Sequence, residues 1–114
     1  SAKDGRRIEH LKNVIAPIEE HYDECITLDD LARAAGMHSK YFCRYFREMT
    51  HRTPIDYLNY YRIEQACFKL ATSNDSIAEI GMSCGFNDES YFIKTFKKYK
   101  GVTPKKYLSA PLVS

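Results

Sequence analysis

The chain has 114 residues, 44% hydrophobic and 28% charged, with nine Tyr and six Phe against five Gly. That composition predicts a packed core and excludes a disordered segment, while the length suits one compact domain or two very small helical ones and leaves little room for a catalytic cleft. Net charge is only +2. No apolar run approaches the roughly 18 residues of a spanning helix. Lys3, Asp4, Arg6 and Arg7 stand where a signal peptide would be apolar, so a cytoplasmic protein with no membrane partner is expected.

Residues 1–5 read as a linker or cloning remnant, which makes the chain an expected fragment of a longer protein with an N-terminal partner domain. From Arg6 to Tyr22, the apolar positions Ile8, Leu11, Ile15, Ile18 and Tyr22 recur every three or four residues, the stripe of an amphipathic helix. Asp4 is a candidate cap for its start. Pro17 lacks an N–H and clashes with the preceding turn, so a kink or break near Ala16 is expected. Thr27 precedes Leu28, Asp29, Asp30 and Leu31, an N-cap with acids in the first turn where they suit the helix dipole. This short helix should end at Gly36. Ser39 then caps a longer helix to about Met49, with Phe42, Tyr45, Phe46 and Met49 on one face. A short helix, a glycine turn and a longer helix form the helix-turn-helix plan.

Thr53 and Pro54 open the next helix, with Pro54 at the first helical position, where its missing N–H costs nothing. Ile55, Leu58, Arg62, Ala66 and Leu70 mark one face, and the run reaches about Thr72 before Ser73, Asn74 and Asp75 stop it. Ser76 caps another short helix through Cys84, Gly85 ends it, and Asp88 caps a helix to Lys100. Thr103 and Pro104 start a last turn or two through Leu108. The expected fold is all-α with about seven helices: a first helix-turn-helix subdomain at 6–52, a linker helix at 53–73, a second subdomain at 74–109 and a tail at 110–114.

An internal repeat is the strongest signal. Shifted by fifty residues, Tyr41, Phe42, Phe46, Thr53, Pro54, Tyr57 and Leu58 meet Tyr91, Phe92, Phe96, Thr103, Pro104, Tyr107 and Leu108. Shifted by forty-nine, Thr27, Leu28, Leu31, Gly36 and Met37 meet Ser76, Ile77, Ile80, Gly85 and Phe86, so the second turn is one residue longer. Caps, turns and apolar positions repeat as fold positions. The opposite face of each longer helix repeats only in character: Lys40, Cys43, Arg44 and Arg47 against Ser90, Ile93, Lys94 and Lys97. A common core face beside a divergent outward face is what two reading heads of one design would show. Charge is partitioned too, with Glu19, Glu20, Asp23, Glu24, Asp29 and Asp30 early and Lys94, Lys97, Lys98, Lys100, Lys105 and Lys106 late.

The segment GFNDESYFIKTFKKYKGVTPKKYL, from Gly85 to Leu108, closely resembles the C-terminal signature of the AraC/XylS family of bacterial transcription regulators. The resemblance runs from about Ile8 to Leu108 and takes in ITLDDLARAAGMHSKYFCRYFREMT. It implies two helix-turn-helix subdomains joined by a long helix, with recognition helices at Ser39 to Thr50 and Asp88 to Lys100. It also implies contact with RNA polymerase. By the same resemblance, Lys40, Cys43 and Arg44 match base-reading positions of the first helix, and Glu89, Ser90, Ile93 and Lys94 those of the second. Departures are His51 in place of glycine, expected at positive φ, Gly81 where alanine is common, and Leu108 where arginine is common.

The chemistry of DNA fits these residues. Guanine presents N7 and O6 to a bidentate Arg or Lys, so Arg44 leads, followed by Lys40 and Lys94. Glu89 is placed to accept from a cytosine amino group, and Cys43 and Ile93 to touch a thymine methyl. Phosphate contacts are expected from Arg47, Arg52, Lys97, Lys98 and Lys105, and from backbone N–H groups at the helix starts near Thr27 and Ser76. A nineteen-residue helix from Pro54 to Thr72 is about 28 Å long, against about 34 Å between successive major grooves. One chain can thus carry both heads onto an asymmetric site as a monomer, while an N-terminal domain elsewhere can dimerise the full protein.

Two rival functions find less support in the residues. Catalysis has only Cys43 with His38 and His51, or Cys84 with Ser83, and lacks a third member or a phosphate-binding glycine loop. A helical protein-interaction module would need the tyrosines outward, whereas they fall mostly at positions that the repeat marks as core. Cys25, Cys43, Cys67 and Cys84 show no metal-ligand spacing, so free thiols acting as small apolar residues, and no metal or cofactor, are expected.

Overall fold

The computed structural model describes residues 2–109, and the tail expected at 110–114 lies outside them. Among the described residues all regular structure is helical: α1 Ala2–Glu20, α2 Leu28–Ala34, α3 Ser39–Thr50, α4 Pro54–Thr72, α5 Ile77–Ser83, α6 Glu89–Lys100 and α7 Pro104–Ser109. They fall into two compact units, residues 1–58 and 59–114, so the boundary lies inside α4.

In the first unit α1 packs on α2 and α2 on α3. Val14, Ile18, Leu31, Ala32, Phe42, Phe46 and Leu58 form its buried core. Phe46 meets Phe42 at 5.8 Å between ring centroids and Tyr57 at 5.8 Å. In the second unit α5 packs on α6 and α6 on α7. Phe92 stands 5.1 Å from Phe86 and 6.0 Å from Phe96, which meets Tyr107 at 5.5 Å. The repeat is therefore three-dimensional, since Phe42 and Phe46 in one unit do what Phe92 and Phe96 do in the other.

The turns obey the same pairing. Gly36 and Gly85 take φ of 69° and 95° between the two helices of each motif. His51 ends α3 in the left-handed conformation at φ 62°, as Gly101 ends α6 at 79°, and each donates its N–H to a carbonyl four residues back, Arg47 or Lys97. Histidine tolerates that region better than most residues, which fits the expectation for His51.

Several details differ from the sequence expectations. Helix α1 begins at Ala2, so Asp4 lies in its first turn instead of capping it, and it runs through Pro17 to Glu20 without stopping. Pro17 removes one hydrogen bond only, close to the helix end, and the His21 amide still closes on the Pro17 carbonyl at 3.0 Å. The expected stripe is engaged unevenly: Ile18 is buried, Leu11, Ile15 and Tyr22 are half-buried, and Val14 beside them is buried, whereas Ile8 is exposed like every residue from Ala2 to His10. Ile55, in the first turn of α4, is exposed as well. His38, not Ser39, is the N-cap residue of α3, and the Ser39 hydroxyl donates instead to the Asp29 carboxylate of α2. Of the four free thiols, Cys67 and Cys84 are buried and Cys43 half-buried, but Cys25 is exposed, so the small-apolar role does not extend to it. Tyr41, Tyr91 and Tyr107 are exposed, so their repetition marks a common position without marking a buried one.

Both short helices start with a capping box that Thr-x-x-Asp and Ser-x-x-Glu spell out. The Asp30 and Glu79 amides donate to the Thr27 and Ser76 hydroxyls, and the Thr27 and Ser76 amides donate to the Asp30 and Glu79 carboxylates, all at 3.0–3.1 Å. Hydrogen bonds from Thr27, through its backbone and then its side chain, hold the Asp30 carboxyl below the usual range. Those from Ser76, side chain first, do the same for Glu79.

A lowered carboxylate pKa contributes stability that is fully present above the unfolded value and lost as pH falls through the folded one. Glu79→Gln keeps an acceptor at that position but removes the titration, so the acid-side fall of Tm, followed by circular dichroism from neutral pH downward, should become shallower. A second test concerns Gly81, the counterpart of Ala32. An added Cβ would lie 2.6 Å from Cδ2 and 2.8 Å from Cγ of Phe92, near the root of a ring that is fully buried and cannot swing aside. Helix propensity favours alanine over glycine by about 1 kcal/mol, but overpacking of roughly 1–3 kcal/mol opposes it. Urea unfolding of Gly81→Ala should therefore show a net loss of about 1 kcal/mol.

Candidate nucleic-acid interface

With Phe42 and Phe46 turned inward, the opposite face of α3 must point out. Lys40, Arg44 and Arg47 are exposed and Cys43 is half-buried. An open groove of about 470 Å³ runs along this face, lined by Leu28, Ser39, Lys40, Cys43, Arg44, Arg47 and Thr53. It brings the three residues expected to read bases in the first head together with one phosphate candidate. No carboxylate lines it, and two carboxylates of α2 are engaged elsewhere: Asp29 accepts from Ser39, and Asp30 is in its capping box.

The second unit repeats this groove at matching positions. About 330 Å³ in volume, it is lined by Ile77, Glu89, Ile93, Thr103, Pro104 and Lys105. Leu28 and Ile77, Ser39 and Glu89, Cys43 and Ile93, and Thr53 and Thr103 are repeat partners. Both floors are apolar, but the first rim carries three cations and the second one carboxylate and one lysine. Ser90, Lys94, Lys97 and Lys98 are exposed on α6 without lining this groove. Asp88 orients them by accepting from the Ser90 amide at 2.7 Å and the Tyr91 amide at 3.2 Å, which fixes the first turn of α6.

Three phosphate candidates have groups engaged or enclosed within the fold. Thr27 and Ser76 use both hydroxyl and amide in their capping boxes, so the amides left at those helix starts are the next two in each chain segment. Arg52 is half-buried with its Nη1 enclosed by protein, while its backbone exchanges hydrogen bonds with the Thr50 hydroxyl. Lys98 is exposed, with its ammonium 5.5 Å from the Tyr99 ring.

Two contacts near the outward face escaped the sequence reading. The Arg44 guanidinium lies 5.7 Å from the Tyr41 ring centroid, a pair whose i, i+3 spacing is visible in the sequence. The Ser39 to Asp29 bond joins residues on different helices, and no local signal announces it. Elsewhere in the second unit, Lys100 donates to Glu64 at 2.6 Å, and this hydrogen bond raises the lysine above its ordinary value.

Comparison with known proteins bears on what these grooves serve. Residues 31–110 match the family described as a helix-turn-helix domain. The chain is 36% identical over 97 residues to the uncharacterized HTH-type transcriptional regulator YdeC of Bacillus subtilis, covering 85% of this chain and 33% of that protein. It is 32% identical over 97 residues to the regulatory protein SoxS of Escherichia coli, covering 85% of this chain and 91% of that protein. Against YdeC and similarly long regulators, the chain thus spans about a third of the relative's length.

Among solved structures, the DNA-binding domain of AdpA, in complex with a target DNA, matches with a TM-score of 0.82 at 32% identity, over 87% of this chain and 89% of that one. The C-terminal domain of the response regulator yesN from Fusobacterium nucleatum matches with a TM-score of 0.79 at 35% identity, over 83% and 93%. Among the described residues no helix is long and apolar enough to cross a membrane. A family match across most of the length, joined to a relative of nearly the same extent, means that the chain belongs to the AraC/XylS family of bacterial transcription regulators, as a DNA-binding domain.

Proposed function

We propose that this domain binds one asymmetric double-stranded DNA site with α3 and α6 in successive major grooves, and regulates transcription from there. One observation carries the reading. Two repeat-related helices bury the same phenylalanine face, and each turns outward a polar, largely cationic face whose residues differ between copies. Conserving the buried face while varying the outward one separates scaffold from reader. The solved complex of AdpA with its target DNA supports it, at 32% identity.

In this reading Arg44 and Lys40 read guanine from the first groove, and Cys43 contributes an apolar contact. Glu89, Ser90, Ile93 and Lys94 read from α6. Arg47, Lys97, Lys98 and Lys105 meet phosphates and supply most of the salt-dependent affinity. Near Thr27 and Ser76, phosphate contact falls to the amides of Leu28 and Asp29 and of Ile77 and Ala78. The relatives' greater length suggests a further domain in the whole protein, which is where we place dimerisation. Contact with RNA polymerase, a cytoplasmic location and the absence of catalysis follow from the same reading.

The test is selection of duplexes from a random pool, followed by binding of variants to the selected site. Arg44→Ala is expected to lose about 1–3 kcal/mol of discrimination at one base pair. Lys98→Ala should weaken binding to every sequence alike and lower the salt slope by about 1. Hydroxyl-radical footprinting should show two protected segments about one helical turn apart. A single protected segment, or equal losses from both variants on every sequence, would defeat the two-head reading.

A further inference from the structure

The exposed rings Tyr41 and Tyr91 occupy repeat-equivalent positions but are held in unlike ways. Tyr91 is tied down within its unit: its hydroxyl accepts from Asn59 Nδ2 at 3.1 Å, and its ring lies 6.0 Å from Phe86. Tyr41 instead stacks on Tyr45, with ring centroids 6.4 Å apart and planes 19° apart. Tyr45 is braced in turn by His10 of α1 at 5.3 Å, edge to face. On this short ladder rests the Arg44 guanidinium, 5.7 Å from the Tyr41 centroid. The second unit cannot build the same ladder, because the counterpart of Tyr45 is the buried Thr95.

We propose that Tyr41 is a positioning residue for base recognition: its ring, backed by Tyr45 and His10, holds Arg44 in the direction from which it meets a base edge. The proposal rests on the reading of Arg44 as a base reader. A free arginine side chain has many rotamers, and one that misses its base can swing to a neighbouring phosphate and recover much of the lost attraction. A guanidinium resting on an aromatic face is restricted before binding. A wrong base then leaves it without an alternative partner, so the ring acts on discrimination more than on affinity.

The experiment uses the whole chain and the selected duplex, together with duplexes replaced at the base pair that Arg44→Ala identifies. Kd is measured for Tyr41→Phe, Tyr41→Leu and Tyr41→Gln, with folding checked by thermal melts; Tyr41 is 51% exposed, and two truncations guard against one misfolding. Tyr41→Phe should keep the ratio between right and wrong base pair, because the π-face remains. The other two should shrink that ratio about three-fold, with an unchanged salt slope, and should shrink it no further in an Arg44→Ala background. A folded Leu or Gln variant with full discrimination overturns the proposal. So does a loss equal on all sequences that Tyr41→Phe also shows, since that pattern marks a hydroxyl bound to phosphate. If Arg44→Ala alters no ratio, the base-reading assignment falls and Tyr41 with it; if Arg44→Ala acts and both truncations are silent, only Tyr41 falls.

Discussion

Each longer helix is held by two phenylalanines one turn apart, Phe42 and Phe46 in α3, Phe92 and Phe96 in α6, none of which touches solvent. At 3.6 residues per turn that pair occupies one side of the helix and assigns the other side to solvent. Lys40, Arg44 and Arg47, and likewise Ser90, Lys94 and Lys97, point outward because of what their neighbours bury. Losing one such ring typically costs about 3–5 kcal/mol, a large part of the stability of a small domain. The outward face can therefore vary in sequence, but the inward one cannot.

A net charge of +2 hides how the charges are used. Carboxylates are drawn to helix starts, where backbone amides are unsatisfied and the dipole favours a negative charge. Asp30 and Glu79 close capping boxes, Asp88 receives two amides of α6, Asp29 accepts from Ser39, and Glu64 pairs with Lys100. The same bonds that define the helix ends withdraw negative charge from the outward faces. The cations left there face solvent with few acids beside them, which is the electrostatic footprint suited to a phosphate backbone.

The two units repeat a plan without repeating its chemistry. Their grooves occupy matching positions over apolar floors, yet three cations rim the first, while Glu89 and Lys105 rim the second. Duplication preserved the positions that pack and released the positions that do not. Even Tyr41 and Tyr91, identical in the repeat, differ in function of position: one backs a guanidinium and the other is bound to Asn59.

Local signals made most of the secondary structure legible. Pro54 and Thr72 bound α4, Asp88 caps α6, Gly36 and Gly85 mark the turns, and even the positive φ of His51 followed from its place opposite Gly101. Repeat and periodicity likewise told the buried face of α3 from the outward one, because a helix converts spacing directly into direction. Burial along α1, by contrast, required knowing where α2 would lie: the stripe continues to Ile8, but packing does not. Pro17 does not break α1, because it sits close to the helix end, and Ser39 does not cap α3, because Asp29, ten residues earlier, takes its hydroxyl. The close approach of Phe92 to Gly81, the enclosure of Arg52 and the His10, Tyr45, Tyr41 ladder were decided only by tertiary structure. Capping, turns and helix faces depend on residues within a few positions of one another, which the sequence alone determines. Contacts between helices depend on how the chain closes on itself, and no local pattern encodes that distance.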